Sequence, residues 1–351
     1  MITVVVGDIG GTNSRLMLLK LEGIELKEVY TETILSHSCQ NFIEVLHKFL
    51  DGKDTPRSGI FAVAGQSNGS SARFDNMGWG RDYILANQIQ TEFGIEKVVF
   101  LNDFEAAGYG CLELKTSDYT QINPDAEPES QQRKIVMGPG TGLGEALLAW
   151  NGTAYTSYPG EGGYSDFAAH NNEQWEFAKF MMNLVQTSNE YKDFRPCEGV
   201  CMEICLAGIG AFHIYDFFKQ KYPELARYEF DEIWESNKDD RLKNMMIEGF
   251  TGRDELCKKS VKFWLQILAY ECGNLIAKNL PFGGLYLIGG LVMKNYDFIL
   301  EKREFFIKCL MTKPRHVTED VIRKVPIYVV KNEDVGMLGT IWWTKKFLGL
   351  S

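Results

Sequence analysis

The chain opens with Ile2–Val6, an uninterrupted β-branched run. The turn Gly7-Asp8-Ile9-Gly10-Gly11-Thr12-Asn13 follows, and then a second apolar run, Leu16–Leu19. Strand, glycine-rich turn and strand predict a β-hairpin. Phe42–Leu50 repeats its apolar residues at helical spacing. Gly59–Ala64 and Val98–Leu101 are continuously apolar, the pattern of strands in a sheet covered on both faces. Between Lys115 and Arg133 the chain turns polar and acidic, with Pro124 and Pro128, and reads as a loop near a domain boundary. Ile135–Met137 then runs into Gly138-Pro139-Gly140-Thr141-Gly142-Leu143-Gly144 and on to Ala146–Trp150. This second strand–turn–strand echoes the first and points to two similar halves. Trp175–Val185, Gly199–Leu206 and Phe263–Asn279 have helical spacing. Leu285–Ile288, ending in Gly289-Gly290, and Ile327–Val330 read as strands. Tyr222–Phe250 is charged and reads as a solvated helical segment without chemistry of its own. Strands alternating with helices predict an α/β architecture.

Composition narrows the class. At about 150 residues per domain, 351 residues suggest two domains. An apolar fraction of 45% and a charged fraction of 24% exclude a disordered, collagen-like or disulfide-stapled chain. A net charge of −10 disfavours nucleic acids and anionic membranes as partners, because both need a basic field. It leaves room for a phosphate ligand, which backbone N–H groups and a metal ion can hold locally. The eight cysteines form no C-x-x-C pair. Cys197, Cys201 and Cys205 would share one face of a helix, where a soft-metal site competes with the better reading of small apolar residues in a reduced core. The sequons at Asn68 and Asn151 read as turns. With neither a leader pattern nor a run of 18 apolar residues, the protein is expected to be soluble and cytoplasmic.

The glycine turns exclude two nucleotide motifs. There is no P-loop pattern. Gly138–Gly144 departs from the dinucleotide fingerprint, because Leu143 takes the third glycine position and a strand follows where a helix is required. Glycine can adopt positive φ and bring backbone N–H groups close to a ligand. Two such turns, each with a threonine hydroxyl (Thr12, Thr141), could hold a polyphosphate. Asp8 could hold Mg²⁺ through waters. A plain hairpin explains one such turn well, but less well two of them plus Gly289-Gly290. Asn102-Asp103 directly follows a strand, so Asp103 is either a helix N-cap or a carboxylate in the ligand crevice of an α/β sheet. Pro159-Gly160-Glu161-Gly162-Gly163 fixes an acid on a close-approach loop. Glu203 lies among apolar residues that a carboxylate avoids without a partner. Three acids and an asparagine suit a polyol, since carboxylates accept from hydroxyls. With a nucleotide, they suit phosphoryl transfer to a sugar.

In this order and spacing the segments resemble the bacterial-type ATP-dependent glucokinases of the hexokinase–actin–Hsp70 ATPase superfamily, over nearly the whole chain. Val6–Leu16, with Asp8, Gly10, Gly11, Thr12 and Asn13, is similar to that family's first phosphate motif. Gly138–Gly144, with Gly138, Gly140, Thr141 and Gly142, is similar to its second. Asn76 and Trp79 fit the segment before the sugar loop, Asn102-Asp103-Phe104 the catalytic motif and Pro159–Gly163 the glucose loop. Glu203 matches a further sugar-contacting acid. Leu287–Val292, with Gly289 and Gly290, resembles the adenosine motif, and Asn332–Gly339 the closing segment. One position departs: Tyr164 stands where the family's loop usually carries a histidine that contacts glucose, which bears on the identity of the hexose. The zinc motif of the related repressor/open-reading-frame/kinase group is absent, as is an N-terminal helix-turn-helix.

The resemblance implies an actin-like ATPase (ribonuclease H-like) fold of two α/β domains with the active site in the cleft between them. The smaller domain would be 1–113 plus 333–351, and the larger 114–332. Asp103 would be the general base. Asn76, Asn102, Asp103, Glu161, Tyr164 and Glu203 would touch glucose. ATP and Mg²⁺ would be the cofactors, glucose 6-phosphate entering glycolysis the product, and a homodimer is compatible with the resemblance. A non-catalytic sugar sensor on the same fold, or a kinase of another hexose, is the alternative. An Hsp70-like ATPase is disfavoured by the missing peptide-binding region.

Overall fold

The computed structural model describes residues 2–74, 78–80, 82–194, 199–227 and 241–350. β1 (Thr3–Ile9) and β2 (Asn13–Glu22) form the expected hairpin, paired antiparallel from Thr3↔Lys20 to Ile9↔Ser14. β3 (Glu25–Leu35) extends it as an edge strand, followed by α1 (Phe42–Leu50) and the fully buried β4 (Ser58–Val63). A small sheet of β5 (Gln66–Ser67), β6 (Ser71–Arg73) and β7 (Ile84–Leu85) precedes α2 (Ala86–Phe93) and β8 (Lys97–Asn102). The main sheet runs β3-β2-β1-β4-β8, with β1, β4 and β8 parallel. Alternation along these strands builds two cores. Val5, Phe61 and Phe100 cluster with Phe42, Val45, Leu46 and Phe49 of α1. Val4, Val6, Ile60 and Ala62 cluster with Met337 of the helix Val335–Phe347. Both faces are covered, which is why the strands read as continuous apolar runs.

α3 (Asp103–Gly110) starts directly from β8. Its N-cap is Asn102: the Asn102 carboxamide oxygen accepts from the backbone N–H groups of Phe104 at 2.9 Å and Glu105 at 3.2 Å. The Glu105 carboxylate accepts from the Asn102 backbone N–H in return, closing a capping box. The cap role weighed for Asp103 therefore belongs to its neighbour. Glycine permits α3 to lie close against the helix Val335–Phe347. A Cβ on Gly110 would sit 1.9 Å from the carbonyl oxygen of Val335, and one on Gly339 would sit 1.7 Å from that of Ala106. Tyr109 stacks on Trp342 with ring centres 4.3 Å apart.

The chain groups into two compact units: Met1–Asp118 with Ala146–Pro159 and Asn332–Ser351, and Tyr119–Glu145 with Gly160–Lys331. The second unit begins with β9 (Tyr119–Gln121) and β10 (Lys134–Pro139). β11 (Leu143–Trp150) and β12 (Tyr155–Gly160) carry the chain into the first unit and back. Next come α4 (Asn172–Thr187), the single turn α5 (Glu203–Leu206), the helix Arg241–Thr251 and the long helix Glu255–Asn279. β13 (Leu285–Leu287) and β14 (Ile327–Val330) lie parallel to β10 in the order β10-β13-β14, with β9 antiparallel on β14. Each unit thus holds a three-strand parallel ladder whose first strand, β1 or β10, runs into a glycine turn.

Four expectations change. The stretch from Lys115 to Arg133 contains β9, three half-exposed residues too short to show a period. Only Glu203–Leu206 of Gly199–Leu206 is helical, because Cys201 pairs with Asp166 in a β-bridge. Cys201 and Cys205 therefore share no helix face, and Cys197 lies outside the described residues. Among the described residues no group of three or more His, Cys, Asp or Glu gathers as a metal site. Within Tyr222–Phe250, residues 228–240 lie outside the described residues, and the helix from Arg241 buries Met245, Met246 and Gly249 rather than being solvated throughout. No described helix is long and apolar enough to cross a membrane.

Candidate active site

In the first unit, strand register sets the chemistry. Ile9 is level with Val63, and Val63 with Asn102. Asp8-Ile9 and Asn102-Asp103 therefore leave the C-terminal edge of the parallel ladder two strand spacings apart, roughly 10 Å, where α/β sheets bind ligands. The turn between them and β2 is braced. The Gly10 N–H donates to the Asn13 carbonyl at 2.9 Å, the Ser36 hydroxyl to the Gly10 carbonyl at 2.7 Å, and the Ser36 N–H to the Thr12 carbonyl at 2.9 Å. Ser36 is fully buried beneath the turn and also meets the Ser14 hydroxyl at 3.0 Å. Gly11 and Thr12 are left exposed on top. Sequence reading missed Ser36, which sits 24 residues from Thr12 with no local signal.

Asp8 faces the start of the helix Val335–Phe347, so that a Cβ on Gly336 would lie 2.7 Å from its Oδ2. Burial raises its pKa, the Arg15 guanidinium pulls it down and Asp334 raises it. Arg15 itself pairs with Asp334 at 3.0 Å. The Asn102 side chain is largely committed: besides the cap, its amide donates to the Gly65 carbonyl at 3.1 Å. Asp103 Oδ1 accepts from the Phe104 N–H at 2.9 Å. Asn76 lies outside the described residues. Its neighbour Trp79 donates its indole N–H to the Cys39 carbonyl at 2.8 Å.

The second unit gathers the other group around Glu203. Ser165 and Phe167 exchange backbone bonds with Met202 and Val200 at 2.8 and 2.7 Å, bringing Glu203 beside the 161–164 loop. Two residues past the α5 turn, the Gly208 N–H donates to the Gly140 carbonyl at 2.8 Å, and the Ile209 N–H to that of Thr141 at 3.1 Å. Glu203 Oε2 accepts from the Leu143 N–H at 2.8 Å, and its carboxylate accepts from the Tyr164 hydroxyl. Burial raises the Glu203 pKa, the Leu143 N–H lowers it, nearby Glu161 raises it and Tyr164 lowers it. Glu161, Tyr164, Glu203 and the Gly140–Gly142 turn therefore form one constellation, with Glu161 and Tyr164 exposed. Gly208 and Ile209 carried no side-chain signal in the sequence.

Gly10, Gly140 and Gly142 do not have positive φ, so the conformational reason anticipated for these glycines fails. Contact takes its place. A Cβ on Gly142 would sit 2.6 Å from Glu203 Oε2, whereas one on Gly140, whose N–H donates to the Gly142 carbonyl at 2.8 Å, would meet nothing closer than 3.9 Å and so borders open space. Positive φ belongs to Gly289, at 88°, whose missing Cβ lets it lie against the Pro139 carbonyl, 2.9 Å from where that Cβ would be. Gly289-Gly290 thus adjoins the second turn, and Gly290 is open.

A family model described as Glucokinase matches residues 5–346. A glucokinase of Nostoc punctiforme is 28% identical over 347 residues, covering 95% of this chain and 96% of its own. The crystal structure of a glucokinase from an Antarctic psychrotroph is similar at a TM-score of 0.74 and 22% identity, covering 98% of both chains. That of a Balamuthia mandrillaris glucokinase in complex with glucose is similar at a TM-score of 0.75 and 17% identity, covering 98% of this chain and 94% of its own. On the family match, which spans nearly its whole length, the chain belongs to the glucokinase family.

Proposed function

We propose that ATP-dependent phosphorylation of glucose, the activity of this chain, proceeds at the 6-hydroxyl with Asp103 as general base, on the actin-like ATPase (ribonuclease H-like) fold of the hexokinase–actin–Hsp70 superfamily. The repeated three-strand ladders, each opening into a glycine turn, support that fold. The observation that carries the site is Glu203: it takes one bond from the strand leaving the second glycine turn and another from the sugar-loop residue Tyr164. The same side chain is therefore positioned by the phosphate turn and the sugar loop.

Asp103 opens α3, where the helix N-terminus favours the charged carboxylate that a base must be. It takes the proton of the 6-hydroxyl as the phosphoryl group arrives. Glu161 and Glu203 accept from the other ring hydroxyls. Asn102 acts mostly by fixing the start of α3, with one amide N–H left for the sugar. The turns from Gly10 to Asn13 and from Gly138 to Gly142, whose Gly10 and Gly140 N–H groups are spent inside the turns, would offer the N–H groups of Gly11, Thr12, Thr141 and Gly142 and two threonine hydroxyls to the phosphates, and Gly289-Gly290 would meet adenosine. Asp8, a single partly buried carboxylate, fits a Mg²⁺ held mainly by phosphates and water. When bound, that ion neutralises charge on the phosphates. The product would enter glycolysis in the cytoplasm. Asp103→Asn keeps the shape and cannot take the proton, so kcat falls about 10²–10⁴-fold while glucose KM stays within a few-fold. Turnover close to that of the unaltered protein removes Asp103 from this role.

A further inference from the structure

One buried acid beneath the sugar loop is unused by this mechanism. Glu145 stands on β11 two residues past Leu143, whose N–H holds Glu203. The loop rests directly on this strand. A Cβ on Gly163 would sit 2.3 Å from the Leu143 carbonyl oxygen, and one on Gly162 would sit 1.8 Å from Glu145 Oε2. Glu145 is 9% exposed, and its Oε1 is buried without a hydrogen-bond partner. The helix Glu255–Asn279 turns Glu271, Cys272 and Lys278 toward it. Glu271, 2% exposed, accepts from the Asn274 amide at 2.9 Å, and Lys313 draws on it from beyond. On the loop side uncharged Gly162, next to Glu161, lies against it. Within the loop the Tyr164 N–H donates to the Glu161 carbonyl and the Ser165 N–H to that of Gly162, and the Tyr164 hydroxyl ties it to Glu203.

We propose that Glu145 is a positioning residue for the sugar loop: protonated, it lets Gly162-Gly163 rest on β11 with Glu161 and Tyr164 presented to glucose, and ionised, it releases them. Resting on the assignment of 161–164 as the sugar loop, this makes glucose affinity depend on pH near neutrality. A neutral carboxyl tolerates a dry, half-partnered place, whereas a carboxylate there is desolvated, faces Glu271 and gains by lifting the glycines to admit water. Burial, then Glu271, push the Glu145 pKa up to about 7 against the pull of Lys278. The sign follows. A group whose pKa is raised in the docked loop favours docking below that pKa, and the preference is lost as pH rises through it.

The test is glucose KM, ATP KM and kcat at about pH 6 and about pH 8, in the unaltered protein and in Glu145→Gln, whose amide mimics the protonated acid at every pH. The ratio of glucose KM between the two proteins should rise roughly threefold to tenfold from the lower to the higher pH, without a matching change in the ratios for kcat or ATP KM. A ratio that does not change with pH overturns the proposal. Should Glu145→Gln fail to fold, Glu271→Gln decides. Removing the facing charge should move the rise in glucose KM to lower pH, and an unmoved midpoint is equally fatal. Glu161→Gln separates the two readings. If it leaves glucose KM unchanged at both pH values, the loop assignment falls, whereas a raised KM at both values with a flat ratio for Glu145→Gln sinks only the role of Glu145.

Discussion

Tyr164→Phe removes one hydroxyl and leaves the ring. That hydroxyl bonds to Glu203, which keeps its other bond from the Leu143 N–H at 2.8 Å. A hydrogen bond to a charged group contributes about 1.5–3 kcal/mol. Tyr164 is 57% exposed, so water can replace much of the bond and the loss falls below that range. About 1 kcal/mol corresponds to roughly fivefold in kcat/KM for glucose. The pH profile separates this from a packing defect. If, as proposed, ring hydroxyls donate to the Glu203 carboxylate, activity should be lost as pH falls through its raised pKa. The Tyr164 hydroxyl is one of two influences holding that pKa down against burial and Glu161. Without it, the acid limb of kcat/KM for glucose moves to higher pH. Coupled ADP release, followed across the pH range, reads both effects. An unmoved acid limb with undiminished kcat/KM refutes the reasoning. The same assay on glucose, mannose, 2-deoxyglucose and glucosamine with Tyr164→His shows whether this position reads the sugar, since unchanged ratios among the four would mean that it does not.

Gly140→Val should leave the fold stable, because its Cβ enters open space. It should nonetheless raise ATP KM roughly tenfold or more, because the branched side chain would fill the open space through which a phosphate would approach the turn; an unchanged ATP KM would remove this turn from the phosphate site. Gly339→Ala drives a Cβ into the Ala106 carbonyl and should cost about 1–3 kcal/mol, as overpacking does, read as a lower urea midpoint with unchanged slope. Asn102→Ala removes a cap taking two N–H bonds and should cost about 1 kcal/mol. Because Asp103 is the next residue, kcat should fall more than glucose KM rises.

The hairpin and α1 were legible because their patterns are long and unbroken: Ile2–Val6 is wholly β-branched, and Phe42–Leu50 keeps helical spacing to its last residue. The edge strand β3 escaped because most of its residues are exposed and polar, so it has no buried face to write into the sequence. The cap at Asn102 was displaced by one residue because Asn and Asp serve equally at that position, and only coordinates show which oxygen meets Phe104 and Glu105. The turn glycines were singled out for the wrong reason. Their sequence suggests conformational freedom, whereas at Gly142 the requirement is space for Glu203. Glu145 was invisible: a lone acid in a strand reads as a solvated face, and Glu271 meets it from 126 residues away.

The first unit is assembled from three stretches, and the last of them, Asn332–Ser351, follows the entire second unit along the chain. Synthesis therefore places Asp103 in the nascent polypeptide long before the helix that α3 leans on exists. At about 5–20 residues per second, the roughly 220 residues between Gly110 and Val335 take on the order of 10–45 seconds to add. Through that interval one face of the main sheet, Val4, Val6, Ile60 and Ala62, waits without Met337 and the helix that covers it. The ribosome-bound chain thus carries a sticky, half-closed first unit while the second unit is still being added. In this window the uncovered apolar face is exposed to self-association, and α3, which Asp103 opens, lacks the helix it packs against.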